Sequence, residues 1–291
     1  MGIFSDFFRI SCFQPNLKIG AIKYNSEEII KIIKSFKDEG LSSILIFPEL
    51  ALTGYTCDDL FLNSNLIINC EKAIKEIVDA TKTKNSTIVF GAPLSTNSGI
   101  YNAAFVVQNG TIVCAIPKVY LPNYSEYYEK RYFDKGNIHD NRIDVNLGDF
   151  EFPLISSPVI EIYNHTNKKF LFTVEICEDL WAPIPPSQLA IARGASLVVN
   201  ISASNGLFTK EEIRKNLIKT YSFKNLVTYA YCSVGHGEAS NDMIWDGHCL
   251  VYSNGNILKE KKPFTNKKSQ NFRVDLDLGL NIRKRYKNKT F

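Results

Sequence analysis

Two of the three Asn-Gly pairs, Asn109-Gly110 and Asn254-Gly255, constrain the fold of this chain more than any other feature. Asn-Gly supplies the two positive-φ residues that a tight antiparallel hairpin requires, and each pair lies beside β-rich runs, at 102–107 and 111–116 for the first and at 248–252 for the second. Elsewhere apolar runs alternate with helical patterns. Ile29, Ile30, Ile32, Ile33 and Phe36 recur at helical spacing after Asn25, with Glu28 as a box-like cap and Gly40 as a stop, so a helix is predicted there. Leu66, Ile67, Cys70, Ala73, Ile74, Ile77 and Val78 predict another near 65–82. Further helices are expected over 187–193 and 211–225, and strands over 43–47, 87–91, 169–176, 195–201 and 227–234. Strands alternate with helices but are interrupted by hairpins, which excludes a purely parallel doubly wound sheet. A layered α/β fold with mixed sheets remains.

A chain of 291 residues, 45% apolar and 22% charged, suffices for one large core, and no Pro/Gly-rich linker divides it. One domain over 1–277 is therefore expected, followed at 278–291 by a basic tail carrying Arg283, Lys284, Arg285, Lys287 and Lys289. The net charge of +4 creates no general field for nucleic acid or membrane, and a few clustered cations with the single aromatic Tyr286 among them are weak evidence for a nucleic-acid arm. Seven cysteines with no C-x-x-C pair argue against a disulfide framework and against a metal site. Asp6 stands where a signal peptide needs basic residues and where a myristoylation pattern needs Ser or Thr, and no apolar run reaches spanning length. A reducing cytoplasm is the expected location.

Three polar residues follow strongly apolar strands: Glu49 after Ile44-Leu45-Ile46-Phe47, Lys118 after Ile112 to Ile116, and Cys177 after Phe170 to Val174. Each alone has a plain explanation, as a turn cap, a solvated lysine or a small core residue. Together they supply a nucleophile, a proton-shuttling carboxylate and a cation for a developing oxyanion, which amide hydrolysis requires. A Cys/His pairing with His236 or His248 stays open, although neither lies at a clear strand end.

FPELALTGY around Glu49, PKVYLPNYSEYYEKRYF around Lys118 and ICEDLW around Cys177 resemble the three catalytic motifs of the nitrilase, or carbon-nitrogen hydrolase, superfamily. LALTGYTCDDLFL, KVYLPNY and GHGEASNDMIWDG further resemble the N-terminal glutaminase domain of glutamine-dependent NAD synthetases of the long bacterial type. The resemblance runs from about Arg9 to the end of the chain. It implies a nitrilase-like αββα four-layer sandwich and hydrolysis of L-glutamine through a Cys177 thioester, with Glu49 as a desolvated acid and base and Lys118 against the oxyanion. It also implies substrate contacts at Tyr124, Glu178, Ser204 and Lys210 and an auxiliary carboxylate at Glu129. Asn205 departs from the pattern, which usually has Pro there, and the lost rigidity is expected to loosen glutamine binding.

No cofactor is implied for the glutaminase reaction. ATP and Mg are expected only for a synthetase domain, whose S-G-G-x-D-S loop occurs nowhere in the 291 residues. Such a domain, in cis or in trans, is the expected ammonia acceptor, the basic tail reads as the start of a connection to it, and the resemblance implies homo-oligomers. A stand-alone amidase on another small amide and a non-catalytic domain of the same fold are the rival readings.

Overall fold

The structure, a computed structural model, describes residues 6–139, 142–235, 237–265, 272–288 and 290. Thus His236 and Lys289, both considered above, lie outside the described residues. The first half of the chain runs β1 (Phe7–Cys12), α1 (Ile22–Ser35), β2 (Ser43–Ile46), α2 (Ser64–Ala80), β3 (Thr87–Thr96), β4 (Gly99–Gln108), β5 (Thr111–Pro117), β6 (Ile143–Leu147) and β7 (Phe150–Leu154). The second half runs β8 (Ile160–Tyr163), β9 (Lys169–Ile176), α3 (Ser187–Ala192), β10 (Leu197–Ser202), α4 (Lys210–Lys224), β11 (Thr228–Ser233), β12 (Cys249–Ser253), β13 (Asn256–Lys261), β14 (Phe272–Asp277) and α5 (Leu278–Lys287).

These strands form an eight-stranded sheet, ordered β14-β1-β2-β3-β4-β5-β7-β6, and a six-stranded sheet, ordered β13-β12-β11-β10-β9-β8. Each sheet has a parallel centre, β1-β2-β3 in one and β9-β10-β11 in the other, flanked by antiparallel strands. Strand periodicity divides the side chains between faces. In β10, Leu197, Val199 and Ile201 face the other sheet and join Ile10, Ile44, Ile46, Val89 and Ile116 in an inter-sheet core, whereas Val198 turns outward with Ile191 and Ile218 beneath α3 and α4. On the opposite exterior, α1 and α2 cover Leu45, Ile88, Phe90 and Phe105. The layers are therefore α, β, β and α, as the resemblance implies.

Both hairpins form at the Asn-Gly pairs, with φ of 50° and 76° at Asn109-Gly110 and 49° and 80° at Asn254-Gly255. The first helix differs from expectation. It begins at Ile22 and ends at Ser35, so Asn25 lies inside it and caps nothing. The buried Asn25 amide instead donates to the carbonyls of Lys18 and Leu52, at 2.8 and 3.0 Å, and accepts from Lys18 N at 2.8 Å. A long-range tie between two loops has replaced the local cap. Short strands β6, β7 and β8 carry no expectation above; β6 and β7 pair around Gly148 at φ 67°.

Of the residues read above as a basic tail, Leu278–Lys287 form α5. Asp277 Oδ1 caps its start by accepting from Leu280 N at 3.0 Å. The buried Asn281 donates to Ser196 O and Thr228 Oγ1, and Arg285 donates to Ala195 O at 2.7 Å. Among the described residues no helix is long and apolar enough to cross a membrane.

The segment after β2 is forced tightly against β3. Gly91 N donates to Pro48 O and Leu52 N to Gly91 O, each at 3.2 Å, while Leu50 takes a left-handed φ of 48°. A Cβ on Gly91 would stand 2.2 Å from Leu50 N and 2.8 Å from Glu49 Cα, both backbone atoms that cannot swing away. Gly91→Ala is accordingly expected to lower stability by about 1–3 kcal/mol. Urea unfolding checks this, and an unchanged midpoint would show that the Glu49 segment yields freely.

Candidate active site

Glu49, Lys118 and Cys177 all lie at the same edge of the sandwich, beyond the C-terminal ends of β2, β5 and β9. Open α/β sheets collect chemistry at such strand ends because the backbone there is released from the ladder and side chains converge. Glu49 and Lys118 are completely buried and paired at 2.7 Å. Glu49 Oε1 also accepts from Asn102 Nδ2 at 2.7 Å, and Oε2 from Ala203 N at 2.6 Å. Lys118 Nζ makes a second ion pair with Glu129 Oε1 at 2.5 Å, to which Tyr55 Oη donates at 2.7 Å. A cation thus bridges two carboxylates in a site closed to water.

Burial disfavours every charge here. For Lys118 burial alone would lower the ammonium pKa, but Glu129 and Glu49 outweigh it and hold the group well above the usual lysine range. Glu129 is pushed up to about 7 by burial, against the pull of Lys118. The Cys177 thiol is pushed up to about 12, by burial first and then by the Glu49 charge, with Lys118 opposing. The resting nucleophile candidate is therefore a neutral thiol at ordinary pH.

Cys177 opens a 3₁₀ turn over Cys177–Leu180 and takes a left-handed φ of 44°, an uncommon conformation for a residue with a Cβ. Its thiol donates to Ala203 O at 3.6 Å. Ala203 therefore touches both partners: its N–H holds Glu49 and its carbonyl takes the thiol. Asp179 anchors the turn, accepting from Ile176 N at 3.0 Å through one oxygen and from Val119 N and Tyr120 N at 3.1 and 2.9 Å through the other. One carboxylate thereby fastens the Cys177 segment to the Lys118 segment.

Among the residues expected to touch substrate, Tyr124 Oη donates to both carboxylate oxygens of Glu178, at 2.9 and 3.0 Å. Ser204 directly follows Ala203 and accepts from Arg214 Nη2 at 3.0 Å. The Lys210 ammonium lies 5.6 Å from the Trp181 ring centroid and 5.9 Å from that of Tyr127, and burial lowers its pKa. Glu129 joins the ion triad rather than this outer group. Asn205 is 2% exposed; its N–H donates to Tyr127 Oη at 3.3 Å, its amide nitrogen to the Glu126 carboxylate, and its amide oxygen accepts from Lys210. Side-chain bonds thus hold the position where a proline ring would have restricted it.

Several contributors carried no separate expectation. Asn102 reads in the sequence only as the start of a strand, and Ala203 acts through its backbone. Tyr55 and Glu238 belong to quoted motifs, and Glu238 accepts from Tyr55 N at 2.7 Å and Thr56 N at 3.1 Å. His248 is engaged by Arg214 and Glu260. With Glu211 and Glu260 it forms a group whose ligand-type atoms lie within 4.8 Å of one another, but Lys215 already pairs with both of those carboxylates.

Comparison with known proteins bears on this arrangement. The family profile described as carbon-nitrogen hydrolase matches residues 9–269. Glutamine-dependent NAD(+) synthetases from Mycobacterium leprae and Aquifex aeolicus are each 32% identical to the chain, over 89% and 94% of it. The chain spans only 37% and 43% of the length of those two relatives. A crystal structure of the synthetase from Cytophaga hutchinsonii superimposes with a TM-score of 0.79 at 27% identity, covering 93% of this chain and 43% of that one. A nitrilase-superfamily amidase from Nesterenkonia shares the fold, with a TM-score of 0.72 at 18% identity over 96% of this chain and 94% of its own. With a matching profile across most of its length and synthetase relatives aligned through the same region, the chain belongs to the carbon-nitrogen hydrolase family.

Proposed function

We propose that this protein hydrolyses the side-chain amide of L-glutamine through a thioester on Cys177, releasing ammonia for the amidation of deamido-NAD. The observation that carries the mechanism is the double engagement of Ala203, which keeps Glu49 and Cys177 on the same backbone unit. As Cys177 Sγ attacks the amide carbon, its proton passes to Glu49, and the oxyanion lies against Lys118 Nζ and a backbone N–H near Glu178. Glu49 returns the proton to the departing ammonia. Water, deprotonated by Glu49, then attacks the thioester carbon, and the C–S bond breaks to release glutamate as Glu49 returns the proton to Cys177 Sγ. Glu129 keeps Lys118 in place and charged.

Glutamine suits the outer group because it is an amino-acid zwitterion. Lys210 offers a cation for its carboxylate, and Glu178, ordered by Tyr124, an anion for its ammonium. The names of the synthetase relatives support this substrate, and their greater length supports an acceptor domain that binds ATP, working in cis or in trans. A second reading is a nitrilase-superfamily amidase acting on another small amide, since the Nesterenkonia amidase shares the fold. Ammonia release from glutamine, asparagine and simple aliphatic amides separates the two. A wide preference for any of the others over glutamine would sink the first reading.

Cys177→Ala is expected to abolish ammonia release, and Glu49→Gln to reduce kcat by roughly 10²–10⁴-fold, the usual contribution of a general base. Steady-state assays check both, and full activity in Cys177→Ala would overturn the mechanism. The protonation state of Cys177 yields a further expectation. With the thiol pushed up to about 12, its alkylation by iodoacetamide in the free protein should rise about tenfold per pH unit between pH 6 and 9, following the thiolate fraction. A plateau within that range would mean that a thiolate is already present and that Glu49 need not take its proton.

A further inference from the structure

The largest fully buried side chain is a charged one, Arg214 on the inner face of α4. Its guanidinium lies 5.1 Å from the centroid of the Tyr231 ring; both terminal nitrogens meet acceptors, while Nε has no partner among the described hydrogen bonds. Nη1 pairs with Asp246 Oδ2 at 2.7 Å and with His248 Nδ1 at 2.8 Å, and Nη2 donates to Ser204 Oγ at 3.0 Å. A guanidinium has donors only. Every partner is consequently forced to accept, so the His248 proton sits on Nε2, where Glu260 Oε1 lies at 3.1 Å.

The same logic fixes Ser204. Its oxygen is 3.0 Å from a group that cannot take a proton, so its O–H must point elsewhere. Among the described hydrogen bonds this hydroxyl donates to nothing, although the residue is 1% exposed and adjoins the Ala203 unit that holds Glu49 and Cys177. A buried hydroxyl with an unused proton, one residue along the chain from the Ala203 unit that holds Glu49 and Cys177, is a donor awaiting an acceptor.

We propose that Arg214 is a positioning residue for substrate recognition: by occupying the acceptor side of Ser204 Oγ it makes that hydroxyl an obligate donor to an oxygen of the bound amide substrate. This rests on the hydrolase reading of Cys177 and explains why a charge is buried so far from solvent on a helix with few apolar inward residues. Asp246 and His248 hold the guanidinium in the one orientation that serves Ser204. A lysine in its place would offer a single nitrogen, unable to serve Asp246, His248 and Ser204 in the same geometry.

The test is a double-mutant cycle of Ser204→Ala and Arg214→Lys, with kcat and KM measured on the amide that the wild-type protein hydrolyses fastest. Each single substitution is expected to raise KM about tenfold, the worth of one hydrogen bond, with kcat changed by less than about threefold. The double variant should be no worse than the weaker single, because both remove the same contact. Multiplied KM effects, near 100-fold, or a fall in kcat at unchanged KM, would overturn the proposal. If Arg214→Lys does not fold, Asp246→Asn, which frees the guanidinium to turn, takes its place in the cycle under the same criteria. Absence of Cys177-dependent ammonia release from every amide would overturn the hydrolase reading and this inference with it; multiplied effects in a Cys177-dependent enzyme overturn this inference alone.

Discussion

A buried ammonium held between two carboxylates is the interaction around which the rest of this structure is arranged. Removing one member of a buried ion pair costs about 3–5 kcal/mol because it strands the other. Glu49, Lys118 and Glu129 are therefore mutually obligatory. Asn102 and Ala203 N donate to the two oxygens of Glu49, and Tyr55 donates to Oε1 of Glu129, whose Oε2 has no partner among the described hydrogen bonds. The left-handed turn at Leu50 and its contact with Gly91 are what bring Glu49 into reach. Strain in that loop is tolerable only because so many bonds define its end point.

Much of this was legible in the sequence, and the reasons are local. Asn109-Gly110 and Asn254-Gly255 fix their hairpins because two consecutive positive φ angles suit few other residues. The stripe from Leu66 to Val78 fixes α2 because one face meets an apolar sheet. Glu49, Lys118 and Cys177 could be singled out because each follows an apolar strand with a reactive side chain. What resisted reading is long-range. Nothing near Asn25 in the sequence indicates that its amide ties Lys18 to Leu52, and nothing near Asp179 indicates that it receives the backbone of Val119 and Tyr120.

The layer beneath α4 was hard to read for a different reason. Its inward side chains include Arg214 and Ser222 as well as Ile218 and Tyr221, so the helix lacks the clean apolar stripe of α2. Many polar groups there are buried in hydrogen-bonded pairs, although Asn200 Oδ1 and Arg214 Nε have no partner among the described hydrogen bonds. Ser202 meets Tyr231, Asn200 meets Tyr229, and Tyr229 donates to the buried Glu175. A periodicity argument counts such residues as solvent-facing, whereas hydrogen-bond complementarity places them inside.

The facing parallel centres of the two sheets have a mechanical consequence. Glu49 and Lys118 follow strands of one sheet, while Cys177 and Ala203 follow strands of the other. The gap between proposed base and nucleophile is thus gauged by the thickness of the aliphatic layer between the sheets, set near the site by Ile46, Val89, Ile176 and Ile201. Close-packed interiors transmit small changes in volume as displacements, and proton transfer tolerates few tenths of an ångström. The inert centre of the sandwich acts as a caliper for its reactive edge, so that shaving a methyl group from that layer alters chemistry at atoms it never touches.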